Sequence, residues 1–424
     1  MFMHARLKSA LVTGIAVFAM VAAAGVAAQQ AGAGADTARP VVTSTLTYDG
    51  AAIADLHGGL GRSSTYVGNL HLRSRFDLQS AFGWPDTSAF VDALWIHGGQ
   101  PDAFVGDALG VSNLAAPPGV QLEEAWLERN FRAPNVSLLA GLYDLNSEFD
   151  RLQSGGLFLN SAFGIGPEFA QSGIEGPSIF PRTAPGLRVA YKPAPGVVLR
   201  AAVLDGVPLI RPDNSLGAFR RGDGLLYVTE LALLDRPGIR MDSDQRTRIG
   251  RNAMLPAYQG KLAFGAWHYS TRFDRLDPSM PPRRQRGASG FYAVGDRVVA
   301  HAADDPRRSL SLFAQLGVGD AAVNRFGRYL GAGLVATGPF PGRGDDELGA
   351  AVAIARNGTP YLRQQAPTAA LTRTETTVEL SYLTQLTRWL ALQPDLQYVI
   401  HPGTTHSTPD ALVFTLRFEI ATGL

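Results

Sequence analysis

The stretch Thr65-Tyr66-Val67-Gly68-Asn69-Leu70-His71-Leu72-Arg73-Ser74-Arg75-Phe76-Asp77-Leu78 reads as a β-strand with two chemically opposed faces. Strand side chains alternate with period two. Tyr66, Leu70, Leu72, Phe76 and Leu78 therefore share one side with Gly68 and Ser74, while Asn69, His71, Arg73, Arg75 and Asp77 share the other. A soluble sandwich shows the same alternation, with its charges in water and its oily face in a core, so the choice between sandwich and pore falls to the rest of the chain.

At the N-terminus, Arg6 and Lys8 precede an apolar run from Ala10 to about Ala24 and a small-residue exit, Gly25-Val26-Ala27-Ala28. This is the pattern of a secretory signal peptide cut near Ala28. Gln29 to Pro40 is Ala/Gly-rich and polar and reads as flexible. The expected organisation is residues 1–28 as signal peptide, 29–57 as flexible lead-in and 58–424 as one barrel domain. Removing the signal takes Arg6 and Lys8 from 38 basic residues and none of the 37 acidic ones, leaving 36 against 37. A nearly neutral mature chain offers no global field for nucleic acid. The absence of cysteine excludes a disulfide framework or a thiolate metal site and, in an exported protein, suits a bacterial envelope.

Hydrophobic residues make up 46% of the chain and charged ones 18%, yet beyond the signal no run approaches the roughly 18 to 20 apolar residues of a membrane helix. A closed barrel is the other way to cross a bilayer with every backbone hydrogen bond satisfied, and its alternating strands leave mean hydropathy unremarkable. The alternation recurs. Thr376, Val378, Leu380 and Tyr382 oppose Glu375, Thr377, Glu379 and Ser381, and Leu392, Leu396, Tyr398 and Ile400 oppose Gln393, Asp395 and Gln397. Leu412, Phe414, Leu416, Phe418 and Ile420 oppose Thr415, Arg417 and Glu419. Weaker strands read at Leu187 to Lys192, Leu225 to Leu233, Gln259 to Tyr269, Leu310 to Val318 and Leu348 to Ala355. Tyr66, Tyr191, Tyr227, Tyr269, Tyr382 and Tyr398 stand near strand ends, where interfacial aromatic girdles sit.

With 47 glycines and 27 prolines, turns are many and long helices few. Gly98 to Gly119, Gly206 to Gly224, Asp235 to Ala257 and Asp274 to Gly287 have the lengths of a barrel's external loops. Asn146 to Ser161 reads as a short helix folded into a loop or the lumen. About 380 to 390 mature residues, at roughly 20 to 25 per strand and connection, allow about 16 to 18 strands.

Catalytic motifs are missing: no Gly-x-Ser-x-Gly elbow, Walker loop, GxGxxG or His-Glu-x-x-His is present. His57-Gly58-Gly59-Leu60-Gly61 reads as a glycine-rich turn, and the eight histidines are scattered, with His401 and His406 flanking a Pro-Gly turn. The chain is therefore read as neither an enzyme nor a holder of a metal or cofactor. Glu124, Trp126 and Glu128 share a strand face, an arrangement commoner for acids facing a lumen than for a glycosidase pair.

Several blocks carry a family resemblance. They are Gly106-Asp107 with Gly110-Val111-Ser112-Asn113-Leu114, Leu122-Glu123-Glu124-Ala125-Trp126-Leu127-Glu128, Gly141-Leu142-Tyr143-Asp144-Leu145-Asn146 with Phe149-Asp150, and Phe158-Leu159-Asn160-Ser161-Ala162-Phe163-Gly164. Pro341-Gly342-Arg343-Gly344-Asp345-Asp346-Glu347-Leu348-Gly349 follows and, most specific, Leu392-Gln393-Pro394-Asp395-Leu396-Gln397-Tyr398-Val399-Ile400-His401-Pro402-Gly403. In this order they resemble the carbohydrate-selective porins, the glucose-type sugar porins of Gram-negative outer membranes. The resemblance implies an all-β, 16-stranded transmembrane antiparallel barrel through which small sugars diffuse passively, with inward-folded loops and a narrowing lined by charged residues, notably arginines. It also implies a barrel active as a monomer, with outer-membrane lipid and the outer-membrane assembly machinery as the expected partners; assembly as monomer or trimer stays open. The chain departs from the family in ending Phe418-Glu419-Ile420-Ala421-Thr422-Gly423-Leu424 without a terminal aromatic, which bears on how the assembly signal is read. It has only three lysines, Lys8, Lys192 and Lys261, so its basic lumen groups must be almost all arginine.

Sugar passage requires planar multi-donor groups, carboxylate acceptors and an aromatic surface, each contact weak enough to release the solute. His71, Arg73, Arg75, Asp77, Glu124, Glu128 and Asp144 are the expected lumen residues, with Trp126 as a sugar-stacking candidate. The alternatives that remain open are a general or organic-solute diffusion porin of the same fold and a periplasmic β-rich sugar-binding protein.

Overall fold

The computed structural model describes residues 40–211, 215–235, 258–277, 279, 281–303, 305, 308–366 and 371–423. The signal peptide and most of the lead-in fall outside them. Sixteen antiparallel strands close into one barrel: β1 Val42–His57, β2 Ser64–Asp77, β3 Thr87–Gly98, β4 Gly119–Phe131, β5 Val136–Tyr143, β6 Ala184–Ala194, β7 Val197–Asp205, β8 Leu225–Asp235, β9 Gly260–Asp274, β10 Arg284–His301, β11 Ser309–Gly319, β12 Phe326–Thr337, β13 Glu347–Asn357, β14 Thr374–Thr387, β15 Leu390–Ile400 and β16 Ala411–Gly423. Each strand pairs with its neighbours in sequence, and β1 closes the ring on β16 from Thr45 opposite Gly423 to His57 opposite Leu412. This corrects the lead-in: residues 42–57, expected to be flexible, are the first strand. No helix among the described residues is long and apolar enough to cross a membrane.

The alternation becomes an outside and an inside. Leu187, Leu262, Phe264, Phe291, Leu316, Val378, Leu380, Leu396 and Leu416 are exposed on the outer surface, while Glu375, Thr377, Glu379, Ser381, Gln393, Asp395 and Gln397 are buried inside. In a water-soluble sandwich the large apolar groups would be hidden; here they form an exterior belt that only hydrocarbon satisfies. Tyr66, Tyr191, Tyr227 and Tyr398 face out, as expected of a girdle, but Tyr269 is fully buried inside, packed edge-on against Trp267.

Both chain ends of the barrel lie at the end of the short turns, among them 195–196 and the two-residue turn 388–389. By the rule of short periplasmic turns and long external loops, this end is periplasmic. Of the long loops expected outside, Asp235 to Ala257 instead joins strands at the short-turn end and lies almost wholly beyond the described residues, while Asp274 to Gly287 does turn at the external end, with 275–283 between the strands. Leu78, read as a strand residue, begins a five-residue helix in the β2–β3 turn.

The barrel is not an empty tube. The β5–β6 connection folds inward as three 3-10 turns, Leu145–Ser147, Ser154–Leu157 and Ser161–Phe163, and a short helix, Pro167–Ala170. Asn146 to Ser161 thus enters the lumen as expected, but as tight turns. Phe149, Leu152, Phe158, Phe163 and Phe169 pack against inward apolar residues of β7 to β13, including Val198, Leu226, Trp267, Tyr292, Phe313 and Ala353. Phe169 stacks on Trp267 with centroids 5.2 Å apart and an interplanar angle of 6°. The β3–β4 loop also turns in, burying Val105, Val111 and Leu114 against Ala51, Ile53, Val399 and Val413.

Inward carboxylates grip both loops. Glu375 accepts the backbone N–H groups of Ala108 and Leu109 at 2.9 Å, and Glu379 accepts those of Leu159 at 2.5 Å and Asn160 at 3.1 Å. Glu230 accepts Asp150 N–H and Asp296 accepts Ser154 N–H, each at 3.0 Å. A carboxylate that stays charged when buried needs such partners, so the polar inner face of β8, β10 and β14 serves as an anchor for the inward-folded loops.

Candidate functional site

Because the insert fills the lumen against β7 to β13, open space remains beside β1 to β5 and β16. A cavity of about 770 Å³ lies there, lined by Thr43, Thr45, Thr47, Asp49, Arg73, Arg75, Asp92, Glu123, Glu124, Trp126, Glu128 and Glu419 of the wall and by Asp144, Glu148 and Arg151 of the insert, with Arg188 and Arg388 and apolar residues such as Phe90, Leu139 and Ile165 between them. Its volume falls within the range of about 300 to 1,000 Å³ usual for small-molecule sites.

A bulge in β4 shapes one wall. Asp92 pairs with Glu124 and the next residue, Ala93, with Leu122, so Glu123 is the extra residue and joins Glu124 on the inner side. Gly141 faces this stretch at φ 140°, where a methyl group would fall 2.2 Å from the Ala125 carbonyl oxygen, so glycine is required for β5 to approach Trp126.

Ion pairs organise the charges. Arg73 Nε lies 2.8 Å from Asp92 Oδ2. Arg188 Nη2 lies 2.9 Å from Glu128 and its Nε 2.7 Å from Glu148, tying wall to insert. Arg75 is the freer group, half exposed at its side chain and 3.5 Å from Glu128. Arg417 pairs with Asp49. Trp126 stacks on Phe90 with centroids 5.0 Å apart, donates its indole N–H to Glu124 at 2.8 Å and carries the Arg75 guanidinium 5.7 Å from its ring centroid.

Of the residues expected in the lumen, Arg73, Arg75, Glu124, Glu128, Asp144 and Trp126 converge on this cavity. His71 does not. It is 1% exposed, with Nδ1 3.0 Å from Asp92 and 3.4 Å from Glu123, and braces the wall behind Arg73. Asp77 is also corrected: it caps the β2–β3 helix, accepting the N–H groups of Gln79 at 3.0 Å and Ser80 at 3.2 Å. Asp144 combines two roles, lining the cavity and accepting Asn146 N–H at 2.9 Å to start the insert. His71, Asp92 and Glu123 bring ligand atoms within 4.8 Å of one another and could by geometry hold a cation, but Arg73 already supplies a positive charge to Asp92.

The profile of the carbohydrate-selective porin, OprB family matches residues 61–421. The chain belongs to this family. Porin B of Pseudomonas aeruginosa is 26% identical over 413 residues, covering 88% of this chain and 86% of that protein. The putative porin QuiX of Acinetobacter baylyi is 24% identical over 405 residues, covering 87% and 86%. The high-pH structure of OprB from Pseudomonas putida superposes with a TM-score of 0.76 at 22% identity over 90% of this chain and 94% of that one, a likeness of fold.

As a carbohydrate-selective porin, the protein is an outer-membrane sugar channel rather than an enzyme scaffold. Several lining residues of this porin escape a reading of the sequence. Arg188 carried a signal, since it opposes Leu187, Val189 and Tyr191 in an alternating strand. Asp92 carried none: Phe90, Leu94 and Ile96 share its inner face, Leu94 and Ile96 packed under Ala116 and Phe180 and Phe90 stacked on Trp126, so β3 is apolar on both sides and does not alternate.

Proposed function

We propose that small sugars diffuse passively through the cavity between the β1–β5 wall and the insert, handled by Arg73, Arg75 and Arg188 as donors and Glu124, Glu128, Asp144 and Glu148 as acceptors. The observation that carries this reading is the placement of these groups around Trp126 in one cavity of about 770 Å³. Guanidinium forks and carboxylates match the paired hydroxyls of a pyranose, and each net hydrogen bond of about 0.5 to 1.5 kcal/mol is weak enough for exit. Trp126 braces Arg75 as well as offering a ring edge, because Phe90 already stacks on it.

The lining favours a neutral solute over an organic acid, since it holds eight carboxyl groups (Asp49, Asp92, Glu123, Glu124, Glu128, Asp144, Glu148 and Glu419) against five arginines (Arg73, Arg75, Arg151, Arg188 and Arg388). Residues 1–28 act as a cleaved export signal on this reading, with the barrel delivered to the outer-membrane assembly machinery.

Liposome swelling with a series of mono- and disaccharides and small carboxylates tests it. Monosaccharides are expected to enter faster than disaccharides and than carboxylates of similar size. Equal entry of all solutes according to size alone would make the protein a general diffusion pore.

A further inference from the structure

At the external end of β9 and β10, Arg272 stands directly opposite Arg286 in the strand register. Both are exposed on the outer face: their neighbours Phe273 and Gln285 point inward, Phe273 into the packed interior. Directly opposed side chains have Cβ atoms about 4.5 to 5.5 Å apart, and like charges so placed are destabilising. Among the described residues, no carboxylate lies within ion-pair distance of either guanidinium, and the adjacent Asp274 is taken by Arg284. The unrelieved repulsion calls for an anion from outside the chain.

Depth identifies its source. On the same face below the pair come first the stacked Tyr227 and His268 rings and then Phe291, 65% exposed, and Phe264. Arg272 lies eight positions beyond Phe264; at about 3.4 Å per residue and a tilt near 40° this is roughly 20 Å along the membrane normal. The pair therefore sits beyond the hydrocarbon belt, level with external headgroups.

We propose that Arg272 and Arg286 form a site for the phosphate group of an outer-leaflet lipid. Two planar guanidinium forks facing one another clasp a phosphate through several charge-assisted hydrogen bonds, and its charge relieves their repulsion. The site lies outside the channel and does not depend on which solute passes.

The test uses the full-length folded barrel, verified by heat-modifiable gel mobility, in neutral detergent, titrated with lipid A bearing two phosphates and with the same lipid dephosphorylated. Wild type is expected to prefer the phosphorylated form by at least about tenfold, the scale of a lost charge-assisted contact. Arg272→Gln with Arg286→Gln removes the preference, the Lys/Lys pair keeps part of it, and Arg129→Gln at the opposite rim leaves it intact. Retention of the full preference by the double Gln variant overturns the proposal. So does complete competition by inorganic phosphate, which would mark a free-anion site, or a change of oligomeric state in the double variant with lipid binding unaltered, which would mark a protein contact.

Discussion

Arg73 and Arg75 leave the same strand two positions apart, yet their surroundings divide their roles. Arg73 is held by Asp92 in a buried group with His71 and Glu123, whereas Arg75 is half exposed and loosely paired. Arg75→Ala is therefore expected to change sugar discrimination while costing under about 1 kcal/mol of stability, as for an exposed ion pair; relative swelling rates and urea unfolding read the two effects. Asp150, on the insert, makes a pH prediction. Burial pushes its carboxyl up to about 7, against 3.8 for the ordinary group. The folded state then binds the proton more tightly, so the contribution of this residue is complete below about pH 4 and is lost as the pH rises to 7. Glu168, deeper in the insert and without a hydrogen-bond partner on either oxygen, is raised well above its usual range by burial and has the same sign. Backbone hydrogen exchange over residues 145–166, corrected for intrinsic rate, should be slower at pH 5 than at pH 8, with Asp150→Asn narrowing the difference. Slower exchange at pH 8 would refute the assignment. Arg73 and Arg75 were legible because β2 alternates strictly. Glu123 was not, because a bulge reverses the parity that alternation relies on.

At the scale of elements, the insert decides how much of the barrel is open. Its hold combines apolar burial with carboxylate clamps, and Phe169 is central to the first, stacking on Trp267 and lying 6.3 Å from the Tyr292 ring. Phe169→Ala should weaken docking by about 3 to 5 kcal/mol, the usual cost of emptying a buried aromatic site, and raise single-channel conductance while the barrel still forms. Unchanged conductance in the folded variant would mean that the insert does not set the bore. The strands at the chain's end were readable because lipid outside and polar groups inside preserve period two. The destination of the inner groups was not: Glu375, Glu379 and Gln397 look the same in sequence whether they meet water or an inserted backbone. Tyr269 failed as a girdle residue for a related reason, since the insert's apolar side chains make the inside of β9 oily.

For the whole molecule, closure removes every sheet edge, so the exterior can be apolar and the chain stable only in a bilayer. Leu416 stands midway along the outward row Leu412 to Ile420 of β16 and is exposed. Leu416→Arg should cost about 2 to 4 kcal/mol of folding in lipid, the range for arginine at the midplane, measured by reversible unfolding in vesicles; no cost would place that face away from hydrocarbon. The ring of sixteen strands was within reach of chain length and alternation, whereas the first strand was hidden by a small, polar composition that reads as a linker. The most direct test of the account is single-channel recording in a planar bilayer as glucose is added. Open-channel conductance should fall in a saturable, glucose-dependent way as sugar occupies the passage beside the insert. A conducting channel indifferent to glucose, or a folded barrel that conducts nothing, would contradict it.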